Sequence, residues 1–95
     1  MKKTRFYFST KTPHGYIRNG YVTIYWEGPN DDSTNDAMEV AIKKAVKEDR
    51  PNDNLSVSIT GNRDIAFQGG EMEKIEKSKK GENKPIVIGQ IKYYE

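Results

Sequence analysis

The stretch from Tyr21 to Trp26 constrains this chain more than any other. Val22, Ile24 and Trp26 fall on one side of an extended backbone, and Tyr21, Thr23 and Tyr25 on the other. Aromatic and β-branched side chains suit a pleated, half-buried surface. The stretch is therefore a strand in a sheet whose two faces differ, one aliphatic with a tryptophan, the other rich in tyrosine.

The same period of two runs through Arg5, Phe6, Tyr7 and Phe8. "TPHG" at 12–15 carries turn chemistry, and Asn19-Gly20 is the favoured pair of a type I′ hairpin turn, which predicts the hairpin tip there. Leu55, Val57 and Ile59 alternate with Ser56, Ser58 and Thr60 in a further strand; Gly61-Asn62 predicts a turn from it into a short strand at 65–67. "PIVIGQIKYY" at 85–94 reads as the last strand, with Gly89 marking a bulge or kink. Between the strands, Met38, Ala41, Ile42, Ala45 and Val46 recur at helical spacing, which predicts a helix over about 34–49. Ser33 and Asp36 resemble its capping box, and Pro51 stops it. Residues 69–84 suit either a helix or the outgoing arm of a hairpin. The expected fold is a single α+β domain over 1–95, an antiparallel sheet of 4–5 strands with one main helix packed on one face.

Ninety-five residues support one modest core, and 16 basic against 14 acidic side chains leave a net charge of only +2. That balance excludes a wholesale acidic mimic of DNA and makes charge alone no sign of nucleic-acid binding. No cysteine is present, so disulfides, thiolate metal sites and cysteine nucleophiles are ruled out. "MKKTRFYFST" has only three apolar residues before Ser9, too few for a secretory leader, and no run approaches a membrane span. These features predict a soluble protein of the cytoplasm, with no membrane partner.

Candidate catalytic groups do not assemble. His14 is the one histidine and sits in a Pro-Gly turn without a local partner, where an ordinary loop histidine is the better reading. The serines lack a nucleophile-elbow context. "NDDSTND" misses the spacing of a calcium loop and reads as a helix-capping acidic loop; Gly69-Gly70 lacks the rest of a phosphate loop. Neither an enzyme, nor a cofactor, nor a metal site is expected.

What remains is surface. Phe6, Phe8, Val22, Ile24, Trp26, Leu55, Val57 and Ile59 must floor the helix, since burying each large apolar side chain is worth about 1.5–3 kcal/mol. Alternation then puts Arg5, Tyr7, Tyr21 and Tyr25 on the opposite face, joined by Thr23, Lys92 or Tyr94. The bland reading of that face is cross-strand pairing; the functional one is a contact surface. Four carboxylates in ten residues, Glu27, Asp31, Asp32 and Asp36, form a local negative patch that suits an arginine-rich groove of a partner. The basic run from Lys74 to Lys84 is diluted by glutamates and reads as a solvated face.

In length, in its lysine-, glutamate- and asparagine-rich composition, in its lack of cysteine and in a start such as "MKKTRFYFSTKTPHGY", the chain resembles the small anti-CRISPR proteins that phages and plasmids direct at type II RNA-guided nucleases. That group shares no fold or motif, so no residue roles carry over. The resemblance implies a non-enzymatic inhibitor in the cytoplasm of a bacterial host cell, bound to the effector protein or its guide-RNA complex, as monomer or homodimer. The partner-binding candidates are Arg5, Tyr7, Tyr21, Tyr25, Asp31, Asp32 and Asp36. The alternative is a single-stranded RNA-binding module, with Tyr7, Tyr21 and Tyr25 stacking bases beside Arg5, Arg18 and Lys92. Steep loss of affinity with salt distinguishes it.

Overall fold

A computed structural model describes residues 1–79 and 86–94. Strand β1 (Lys2–Lys11) pairs antiparallel with β2 (Ile17–Trp26); helix α1 (Asp32–Asp49) follows, then β3 (Ser56–Asp64), helix α2 (Glu71–Lys79) and β4 (Ile86–Tyr93). The four strands form one open antiparallel sheet in the order β3-β1-β2-β4. The expected α+β architecture is present, with four strands. The chain crosses the sheet twice, because β2 leads through α1 to the edge beyond β1, and β3 leads through α2 to the edge beyond β2.

One face holds the core. Phe6, Phe8, Val22, Ile24 and Trp26 meet Met38, Ile42 and Val46 of α1, with Leu55 closing one end and Val57, Ile59, Ile88 and Ile91 packed at the margins. The indole of Trp26 is buried without an unmet donor: its Nε1 donates to Thr4 Oγ1 (2.9 Å), and that hydroxyl donates to Asp64 Oδ1 (2.8 Å). Helix α1 begins two residues before the sequence predicts. Asp31, not Ser33, is the cap, its carboxylate accepting from the Thr34 backbone N–H at 2.8 Å. Its far end runs into Arg50, whose guanidinium pairs with Asp53 across a 3-10 turn at Pro51–Asp53.

Three further expectations are corrected. Asn19-Gly20 is not the hairpin tip: both residues lie inside β2, paired with Ser9 and Phe8, and the chain reverses at 12–16 around Gly15 (φ 88°). Glycine at 20 serves close packing instead, since a Cβ there would stand 2.3 Å from the Lys92 carbonyl oxygen and 2.9 Å from the Phe8 ring. Gly61-Asn62 does not turn either; β3 continues through it to Asp64, and 65–67 is not a strand. Thr60 is an extra residue there, because Tyr7 pairs with Gly61 but Phe8 pairs with Ile59. Gly89 does mark a bulge: Val22 pairs with Ile91 and Ile24 with Ile88, leaving one surplus residue on β4. Of the ambiguous segment at 69–84, residues 71–79 are helical and 80–84 lie outside the described residues. Among the described residues, no helix is long and apolar enough to cross a membrane.

The two glycines give a direct test. Gly20→Ala is expected to cost about 1–3 kcal/mol in urea denaturation, because its methyl meets backbone that cannot yield. Gly61→Ala, with nothing within 4 Å of its Cβ, is expected to stay within about 0.5 kcal/mol of the parent. Equal costs would contradict the pairing of β2 with β4.

Candidate functional site

The face opposite α1, here the outer face, carries the odd-numbered side chains of the central strands. Its rows across the sheet follow from the register: Lys3, Tyr25 and Val87; then Arg63, Arg5 and Thr23; then Gly61, Tyr7, Tyr21 and Lys92. The Tyr94 backbone N–H donates to the Asn19 carbonyl (2.8 Å), which brings that tyrosine to the same end.

The two ends of this face differ. At one, the segment after β3 is strapped down. Lys3 Nζ donates to both carboxylate oxygens of Glu71 (2.6 and 2.8 Å), the Tyr25 hydroxyl donates to Glu71 Oε2 (2.7 Å), and the Gln68 N–H donates to Glu71 Oε1 (3.0 Å). Phe67 packs on Tyr25, ring centroids 6.0 Å apart, and Ile65 N–H bonds to the Lys3 carbonyl. Lys3 and Tyr25 are both only 9% exposed. A charge-assisted pair with a third donor at this depth is a structural clamp rather than a surface ion pair. The Lys3 ammonium, helped by the Gln68 N–H, holds the Glu71 carboxyl down to about 2. Burial, then the hydrogen bond to Glu71 and its charge, push the Tyr25 phenol up to about 12.

The other end is open. The Tyr7 and Tyr21 rings lie 6.4 Å apart and Tyr21 and Tyr94 5.7 Å, each pair tilted. The Arg5 guanidinium sits 4.4 Å above the Tyr21 ring. Tyr94 is half exposed, Lys92 and Arg63 are exposed, and Arg5, Tyr7 and Tyr21 are half-buried.

Of the residues singled out from sequence, Arg5, Tyr7 and Tyr21 come together. Tyr25 shares their face but is covered by Phe67 and Glu71, so it does not belong to the open surface. Arg18 is on the helix side, its guanidinium 4.9 Å from the Tyr93 ring. Asp31, Asp32 and Asp36 are exposed at the start of α1, also on the helix side, apart from the tyrosines. Asp31 is occupied as a cap, and the Thr34 backbone hydrogen bond lowers its pKa. Arg63 was missed: the predicted turn removed it from the sheet, and the surplus Thr60 breaks the alternation that would have placed it beside Arg5. Glu71 and Phe67 were missed because nothing local to them signals a partner more than forty residues away.

Among the described residues, no group of three metal-ligating side chains forms. The chain matches no family model, no curated protein and no solved structure.

The clamp predicts an acid limb. The folded-state pKa of Glu71 lies below its ordinary value of 4.5, so its contribution is complete above about pH 4.5 and fades as pH falls toward 2. Glu71→Gln is expected to cost about 1.5–3 kcal/mol at pH 7 and to flatten stability between pH 5 and about 3 in denaturant titrations. An unchanged acid limb in the variant would mean that the clamp contributes nothing.

Proposed function

We propose that this protein is a non-enzymatic binding module that holds single-stranded nucleic acid, RNA foremost, on the open end of its outer face. The observation carrying this reading is the row of Tyr7, Tyr21 and Tyr94 with the Arg5 guanidinium on its middle ring and Lys92 beside it. Each base offers a π face, and stacking on an aromatic ring contributes about 1–3 kcal/mol per base with little sequence preference. Cations beside such a row neutralise the phosphates between stacked bases. A net charge of +2 is no obstacle, because Arg5, Arg63 and Lys92 share the face that carries the rings.

Occlusion of an RNA-guided nuclease is the second reading. It is favoured by the separate acidic entry of α1, where Asp32 and Asp36 stand exposed on the helix side. A base-stacking face and an acidic patch on different sides suit a ribonucleoprotein, with guide RNA against one and a basic protein groove against the other.

Fluorescence anisotropy with a labelled single-stranded RNA of about twelve nucleotides tests the first reading. Binding is expected to weaken steeply with salt. Tyr7→Ala with Tyr21→Ala is expected to lower affinity by about thirtyfold or more, the low end of two lost stacking contacts. Equal affinity in the double variant, with its fold intact, rules the platform out. For the second reading, a tagged pull-down of guide-loaded effector that survives ribonuclease treatment would move the contact from RNA to protein.

A further inference from the structure

Arg5 and Arg63 are direct cross-strand partners on β1 and β3, and their side chains leave the same side of the sheet. Like charges placed directly opposite one another are unfavourable, and sheets ordinarily avoid them or set a carboxylate between them. Here the surrounding positions supply none among the described residues. Across β2 the partner of Arg5 is Thr23. Along β1 the outward neighbours are Lys3 and Tyr7. Glu71, a carboxylate on this face, is committed to Lys3, Tyr25 and the Gln68 N–H. Asp64, next to Arg63 in sequence, is turned to the helix side, where it accepts from Thr4.

Two further features occur at the same place. Arg5 Nε is buried and has no hydrogen-bond partner, and a sequestered donor of this kind calls for an acceptor. Arg50 also has such a nitrogen, but its guanidinium is already paired with Asp53; Arg5 has no carboxylate among the described residues. In the adjoining row, Gly61 sits opposite Tyr7 and leaves the backbone bare, with open space where a side chain would stand. A glycine within a strand often marks a close approach of ligand to backbone.

From these we infer that Arg5 and Arg63 form a phosphate-binding subsite. Its anion sits over Gly61, beside Arg63. In the structure the Arg5 guanidinium rests on the Tyr21 ring, on the β2 side of β1; to close on that anion it turns from the ring toward β3. Guanidinium forks match phosphate oxygens in a bidentate geometry, and an anion placed there would satisfy the Arg5 donor and relieve the Arg5–Arg63 repulsion together. The tyrosine row starting at Tyr7 selects a phosphodiester whose base stacks alongside. The phosphodiester assignment rests on the nucleic-acid reading above; the phosphate subsite itself does not.

The test has two arms. In the first, anisotropy with single-stranded RNA is read against salt for the parent, Arg63→Gln and Arg5→Lys. Each phosphate contact contributes about 0.7 to the slope of log affinity on log salt for a single strand. Arg63→Gln is expected to lower the slope by about that amount. Arg5→Lys, which keeps the charge but loses the fork, is expected to weaken binding with little change in slope. Arg63 is exposed, so its loss does not threaten the fold. In the second arm, amide shifts are followed as inorganic phosphate is added without RNA. Shifts at Gly61, Asn62 and Arg63 in the parent, lost in Arg63→Gln, support the subsite even where RNA does not bind, and then only the phosphodiester source fails. RNA binding that needs Tyr7 and Tyr21 but shows the parent slope in Arg63→Gln, with no phosphate shifts at Gly61, overturns the subsite and leaves the platform standing. Neither RNA binding nor phosphate shifts overturns both.

Discussion

The pleat of β2 governs the rest of this molecule. Val22, Ile24 and Trp26 on one side are each at most 3% exposed and hold α1 to the sheet, so Tyr21, Thr23 and Tyr25 must leave from the other. A one-residue slip would exchange the two sets. Gly20 and the bulge at Gly89 fix the register against β4, because side chains at either position would collide with backbone carbonyls at 2.3 and 2.9 Å. One long helix covers one face, and the second face has to be provided for separately.

That provision is partial. The chain returns from β3 over the end of the outer face and is tied there by Glu71, to which Lys3 and Tyr25 both donate. Phe67 seals the Tyr25 ring. The tie covers Lys3 and Tyr25, and Tyr7, Tyr21 and Tyr94 form a row on the same face as Arg5, Arg63 and Lys92. A tyrosine face is thus divided by one long-range carboxylate into a buried half, which stabilises, and an open half, the surface proposed to bind.

Much of this was readable from the residues. The alternation through Tyr21–Trp26 correctly named the inner and outer sets, and the spacing of Met38, Ile42 and Val46 placed the helix and its buried stripe. Local turn chemistry misled where tertiary packing used glycine for another purpose. Asn19-Gly20 has the composition of a tight turn, yet Gly20 is there to let Phe8 and the Lys92 carbonyl approach. At Gly61-Asn62 the surplus Thr60 shifted the period of β3, hiding Arg63 from any count based on alternation. Tyr25 was assigned to the right face, but its burial depends on Glu71, 46 positions away, a distance at which pattern carries no information. The helix cap moved from Ser33 to Asp31 because three acceptor-bearing residues in succession compete for one role, and geometry chooses.

The most direct test of a contact surface on the open outer face is zero-length photocrosslinking of single-stranded RNA carrying 4-thiouridine, with the modified residues identified by mass spectrometry. Crosslinks concentrated at Tyr7, Tyr21 and Tyr94, and absent from Tyr25 while Glu71 is intact, are the expected result. Crosslinks spread over Tyr16, Tyr93 and the face of α1, or confined to them, would contradict the account and place any contact on the helix side of the sheet.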